Sequence, residues 1–178
     1  WQEWGEIYGI TTQSVPPLAK IEEHEDRRIN NRRKDDILSI LVVDDDPSSL
    51  MLVSRHLTKA GYRVYEASNG KDALAIALEV NPHAVVTDLQ MPEMDGLELT
   101  RTIRRWESGG NFYIIMLTGS GGSEETINAF ESGADDYVTK PFEPAVLLAR
   151  VRAGERVIRM QSRAEADRSI MELSLIHI

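Results

Sequence analysis

The sequence predicts an α/β protein: a five-stranded parallel sheet covered by helices on both faces. Three observations predict it. Short apolar runs rich in β-branched and aromatic residues alternate with stretches of helical period from Ile37 onward. Glycines stand where several of those helical stretches should stop. Finally, acids, a hydroxyl and a lysine fall just after the apolar runs, at the strand ends where open parallel sheets bind ligands.

The strand runs are ILSILVV (37–43), YRVYEA (62–67), HAVVTDL (83–89), FYIIML (112–117) and DYVT (136–139). The first helical stretch is PSSLMLVSRHLTKAG, where Leu50, Val53, Leu57 and Ala60 share a face. KDALAIALEV follows, with Ala73, Leu74, Ala77 and Leu78, and then LELTRTIRRWE, with Leu99, Ile103 and Trp106. SEETINAFESG and EPAVLLARVRAGERVI complete the set, and Gly61, Gly109 and Gly133 are the expected C-terminal stops. Right-handed crossovers place the C-terminal ends of all five strands along one edge.

That edge carries an unusual charge pattern. The first strand ends in Asp44, Asp45 and Asp46. Two carboxylates about 5 Å apart repel by roughly 3 kcal/mol at an effective dielectric near 20, so positive charge is expected among them. Asp46 precedes Pro47 and a helical pattern, which makes it the natural helix N-cap with Pro47 at N1. Asp44 and Asp45 remain, and Asp88 at the end of the third strand joins them. An oxygen-rich, nitrogen-poor, sulfur-free set of this kind suits a hard cation such as Mg²⁺. Thr118 after the fourth strand and Lys140 after the fifth add a hydroxyl and an ammonium, which together with a divalent ion suit a phosphoryl group. Asp88 is then the candidate nucleophile, forming an acyl phosphate.

Competing chemistries find little support. No GxGxxG and no GxxxxGK[ST] follows the first strand, so dinucleotide and P-loop readings fail where they must succeed. The GSGGS at 119–123 reads as a flexible loop. None of His24, His56, His83 and His177 falls at a catalytic strand end, which leaves Ser-His-Asp hydrolysis and histidine self-phosphorylation without support. The chain has 178 residues and no cysteine, so it forms neither disulfides nor thiolate metal sites. Its net charge is −9, and residues 37–154 hold 17 acids against 10 bases. No basic footprint for nucleic acid is present in that body. No apolar run approaches the ~20 residues of a membrane span, and no secretion leader is recognisable, so a cytoplasmic protein is expected.

VVDDD (42–46), VVTDLQMPEMDG (85–96), MLTGSG (116–121) and DYVTKPF (136–142) closely resemble the receiver domain of two-component response regulators. The resemblance covers about residues 37–154. It implies a flavodoxin-like (βα)5 three-layer sandwich with strand order 2-1-3-4-5. It matches Asp88 to the phosphoacceptor, Asp44 and Asp45 to the acidic pair that organises Mg²⁺ (or Mn²⁺), and Gln90 to the position whose backbone carbonyl ligates the metal. Thr118 matches the switch hydroxyl, Lys140 the lysine that pairs with the phosphoryl group, and Tyr137 the switch aromatic; the Lys140–Pro141 bond is expected to be cis. The implied donor is the phosphohistidine of a sensor histidine kinase or phosphotransfer protein. The implied readout is a change in the face formed by helix 4, strand 5 and helix 5, sensed by an output domain or effector. Such a domain is not an enzyme, although it assists its own phosphorylation and dephosphorylation.

Outside that region, residues 1–36 read as a linker or arm with a partly helical stretch over 18–34. Residues 155–178 read as a helical extension of the last helix towards an output domain, with Gly154 as its weak point. Ala153, Val157, Met160, Ala164, Asp167 and Met171 form a poor coiled-coil seam, through which a homodimer is expected. RVRAGERVI resembles the link that follows receivers tethered to diguanylate cyclase, cyclic-dinucleotide phosphodiesterase or serine phosphatase outputs. The final LSLIHI is assigned no function. Two other readings stay open: a single-domain receiver acting by protein contact or as a phosphorelay shuttle, and a Mg²⁺-dependent aspartyl phosphatase on a similar sheet.

Overall fold

A computed structural model of the protein describes residues 37–106, 112–119 and 123–175. The arm over 1–36, Gly109, most of the glycine-rich loop and residues 176–178 lie outside the described residues. The five strands are β1 (Ser39–Val43), β2 (Arg63–Ala67), β3 (Ala84–Asp88), β4 (Tyr113–Thr118) and β5 (Asp136–Thr139). They form one parallel sheet in the order β2-β1-β3-β4-β5, as the resemblance implies. The helices are α1 (Pro47–Lys59), α2 (Gly70–Val80), α3 (Gly96–Arg104), α4 (Ser123–Glu131) and α5 (Pro144–Leu175).

Alternation along the strands divides the interior in two. Leu41, Val43, Val85, Ile114 and Met116 face a cluster completed by Leu74 of α2, Leu99 and Ile103 of α3, and Ala129 of α4. Ile40, Val42, Val86, Ile115 and Leu117 face the opposite cluster, completed by Val53 and Leu57 of α1 and by Leu147, Val151 and Ile158 of α5. Every residue of β1 is buried, as a central strand covered on both faces requires. β1 and β3 pair two residues and one residue later, respectively, than their apolar runs begin. In place of further ladder at that end, Ser39 N–H donates to His83 Nδ1 at 3.1 Å and His83 N–H donates to the Ser39 carbonyl at 2.9 Å. Burial, with the nearby charges of Arg159 and Arg63, lowers the His83 pKa, consistent with a neutral ring whose Nδ1 accepts.

The helix ends follow local chemistry. The Asp46 carboxylate accepts the N–H groups of Ser48 at 3.3 Å and Ser49 at 3.0 Å, with Pro47 at the first helical position. Asn69 caps α2 and Asp95 caps α3 in the same way. Gly61 (φ 94°) and Gly133 (φ 101°) take the left-handed conformation just after α1 and α4. At the end of α2 that conformation falls to Asn81, and α3 already ends at Arg104. The Arg104 guanidinium donates to the carbonyls of Gly133 at 2.8 Å and Phe112 at 2.7 Å, and pairs with Asp135 at 2.6 Å.

The last helix runs through Gly154 without a break for 32 residues. The glycine serves close packing there: a Cβ at Gly154 would collide with the ring of Tyr113. Ile158, one turn on, is buried, whereas residues 161–168 are all exposed. Tyr62 further ties this segment to the domain by donating to Glu155 at 2.9 Å. Among the described residues no helix is long and apolar enough to cross a membrane.

Asp46 is thereby a fold residue. Replacing it with alanine should lower stability by about 1 kcal/mol, the usual value of an N-cap. Urea unfolding of Asp46→Ala against wild type checks this.

Candidate functional site

Strand order reverses between β1 and β3, and crevices at such points are where open sheets hold ligands. Asp44 and Asp45 follow β1 there, and Asp88 closes β3. One carboxylate oxygen from each can be chosen so that all three lie within 4.8 Å of one another. The donor set is all carboxylate oxygen, which fits a hard divalent cation and excludes a thiolate or imidazole centre. Asp45 is exposed, Asp44 is 1 % exposed, and the Asp88 side chain is 13 % exposed.

Lys140 enters this cluster from β5, two strands away. Its backbone N–H donates to the Thr118 carbonyl at 2.6 Å, which fixes the start of the β5–α5 turn, and the next peptide bond to Pro141 is cis. Its ammonium lies 2.7 Å from Asp88 Oδ1 and 2.9 Å from Asp44 Oδ2. Burial alone would lower the Lys140 pKa, but hydrogen bonds and charges from Asp88 and Asp44 raise it above the ordinary lysine value. The lysine is therefore a cation held between the buried Asp44 and the partly buried Asp88.

Asp88 is pulled both ways. Burial pushes its pKa up, the Lys140 hydrogen bond and charge push it down, the Asp44 charge pushes it up, and the Leu89 N–H lowers it. The balance leaves it raised above the ordinary aspartate value. Asp44 is held by three donors: Asp46 N–H at 3.0 Å on Oδ1, and Ser49 Oγ at 2.5 Å with Lys140 on Oδ2.

The loop after β3 folds back over the strand end. A Cβ at Gly96 would collide with the Asp88 carbonyl oxygen, so only glycine fits, and Gly96 N–H donates to the Leu89 carbonyl at 2.9 Å. The loop is pinned to the start of α2 by Met94 against Gly70 and by Lys71 to Glu93 at 2.8 Å, with Glu93 at φ 66°. A cleft of about 600 Å³ opens beside the acids, lined in part by Asp45, Gln90, Asp95 and Glu125.

The structure thus brings Asp44, Asp45, Asp88 and Lys140 into one cluster and sets Gln90 on the adjoining cleft. Thr118 is buried at the same edge, one residue past the Leu117 that pairs with Asp88. Tyr137 lies farther along the edge on β5, half-buried and edge-on to Phe130 at 5.6 Å. Sequence reasoning missed Ser49, because a serine in the first turn of a helix reads as ordinary. It also missed the Lys71–Glu93 latch, whose partners are joined only by the loop's return. The glycine of MDG was a usable signal for the tight approach at Gly96.

A family model described as the response regulator receiver domain matches residues 40–152. The chain belongs to that family. It is a receiver domain of two-component systems. The curated relatives include the DNA-binding dual master transcriptional regulator RpaA of Synechocystis sp., 43% identical over 107 residues, which make up 60% of this chain and 44% of the relative. The chain spans less than half the length of the curated relatives it matches. Among solved structures, the chemotaxis response regulator CheY4 of Vibrio cholerae is 33% identical at a TM-score of 0.61, covering 66% of this chain and 98% of its own. A protein described as a probable two-component system response regulator/GGDEF domain protein is 31% identical at a TM-score of 0.65, covering 70% and 51%.

The raised Asp88 pKa fixes the sign of a pH effect. Between the unfolded value of 3.8 and the higher folded value, the native state binds the extra proton, so stability falls as pH rises through that window. At neutral pH and without metal, Asp88→Asn should therefore be more stable than wild type and should lose that part of the pH dependence. Urea midpoints measured in EDTA from pH 4 to 7 check both.

Proposed function

We propose that this receiver accepts a phosphoryl group from the phosphohistidine of a sensor histidine kinase or phosphotransfer protein onto Asp88. The observation that carries the reading is the convergence of Asp44, Asp45 and Asp88 around one ammonium at the edge of the sheet. Asp45, Asp88 and the Gln90 carbonyl, with Asp44 behind them, would hold Mg²⁺ (or Mn²⁺). When bound, that ion neutralises phosphoryl oxygens and the carboxylates that surround them.

The chain's own residues supply the rest. An Asp88 carboxylate oxygen bonds to phosphorus as the P–N bond breaks, and the electron pair leaves with the imidazole nitrogen of the donor, which takes up a proton. Lys140 already touches Asp88 and turns its ammonium to the new phosphoryl oxygens, matching charge of about −1.5 to −2. The Thr118 hydroxyl donates to the same group. Tyr137 follows inward, loosening its edge contact with Phe130, and the α4–β5–α5 face changes its preference for partners. The domain is a switch rather than an enzyme with a free substrate, and its place is the cytoplasm.

The domain boundaries we propose are an arm over 1–36, the receiver over 37–154 and a helical connection over 155–178 leading towards an output domain or effector. The likeness to a response regulator/GGDEF protein and the unbroken α5 support a helical connection of this kind. Val157 and Met160, 40 % and 70 % exposed on α5, support pairing of two copies along that helix. The segment itself does not bind nucleic acid or membrane in this reading.

Incubation with phosphoramidate and Mg²⁺ should add one phosphoryl mass to wild type, labile to hydroxylamine as an acyl phosphate is. Asp88→Asn, or wild type in EDTA, should gain less than about a hundredth of that label. Equal labelling of Asp88→Asn would place the acceptor elsewhere, and steady turnover of a free phosphomonoester would mark an aspartyl phosphatase instead.

A further inference from the structure

We propose that Ser49 is a positioning residue of this site, whose hydroxyl holds the Asp44 carboxylate in place while Lys140 changes partners. The inference rests on the reading of the three acids as a cation and phosphoryl site.

Ser49 stands at the third helical position of α1. Its capping duty is carried by the backbone, since its N–H donates to Asp46 Oδ2 at 3.0 Å. The hydroxyl is not needed for the helix and points elsewhere, donating to Asp44 Oδ2 at 2.5 Å. That oxygen also takes the Lys140 ammonium at 2.9 Å, while Asp44 Oδ1 takes the Asp46 N–H. A carboxylate offers about four lone-pair directions, so three donors leave roughly one for anything entering the site.

The arrangement matters because one of the three donors is shared. Lys140 is bonded to Asp44 and Asp88 together, and a phosphoryl group on Asp88 competes for the same ammonium. Once the lysine turns away, Asp44 is held by Asp46 N–H on one oxygen and by Ser49 on the other. Without the Ser49 hydroxyl it would hang on a single bond about a soft side-chain torsion. Asp44 is 1 % exposed, so solvent is poorly placed to supply the lost donor. Ser49 thus orients an acid that faces the cation without contacting the cation itself.

Outer hydrogen bonds of this kind are worth about 10–100-fold in metal affinity. The test is direct Mn²⁺ binding to the full chain, followed by the EPR signal of the free ion. Ser49→Ala should raise the Mn²⁺ dissociation constant about ten-fold. Although losing a donor to a buried carboxylate lowers its urea midpoint, the backbone cap remains and the variant should keep a cooperative urea transition and a wild-type circular dichroism spectrum. Ser49→Thr, which keeps the hydroxyl, should bind Mn²⁺ within about two-fold of wild type under the same principle. Wild-type affinity in Ser49→Ala, or a Ser49→Thr as weak as the alanine variant, would overturn the proposal. Asp45→Asn separates the two readings. If it also binds Mn²⁺ as wild type does, the cation site itself is wrongly placed; if it loses binding while Ser49→Ala does not, only the role of Ser49 falls.

Discussion

The structure is organised around one ammonium group. Lys140 lies within hydrogen-bond distance of two carboxylates that would otherwise repel each other across a poorly solvated gap. Holding it there draws on the whole sheet. β1 supplies Asp44 and β3 supplies Asp88 because those strands are neighbours at the reversal point. β5 must come second from β3, so that the lysine spans one strand width, and its turn is tied to the end of β4 through the Thr118 carbonyl. The sequence led to a divalent ion as the neutralising charge. In the folded chain the positive charge in contact with Asp44 and Asp88 is Lys140. The exposed Asp45 instead lines the cleft beside them.

The sharing of Lys140 bears on the proposed switching. In that proposal a phosphoryl group on Asp88 would tip the balance of a lysine shared between two acids, because the new charge would alter one side of it and leave Asp44 to its remaining donors. Thr118 and Tyr137 occupy the same edge on the two strands beyond β3, so the disturbance has a short route to α4 and α5. α5 is well placed to carry it outward. Val151 and Ile158 pack it on the sheet, Gly154 brings it against Tyr113, and Tyr62 grips Glu155; beyond these contacts its residues 161–168 are exposed.

Much of this was legible in the residues. Among the described residues, apolar runs and helical periods located the strands and helices to within a few positions. Strand ends identified the acids, the hydroxyl and the lysine, and the Asp-Pro step separated the capping Asp46 from its neighbours. What stayed hidden depends on contacts distant in sequence. Strand order followed from the family resemblance, since alternation alone does not say which strands are adjacent. Gly154 read as a weak point in a helix and proves to be the place where that helix meets Tyr113. Ser49 read as a first-turn serine and proves to hold Asp44, because the chain between them turns sharply at Asp46. The Lys71–Glu93 pair could not be read, as it joins the start of α2 to the loop after β3, which only the folded sheet brings together.

A crystal structure grown with Mg²⁺ tests the central claim most directly. One ion is expected in the cleft, with oxygens of Asp45, Asp88 and the Gln90 carbonyl at about 2.1 Å and water completing an octahedron, and with Asp44 still bound by Ser49 and Lys140. An ion bound without Asp45 and Asp88, or acids that take no ion at saturating Mg²⁺, would contradict it.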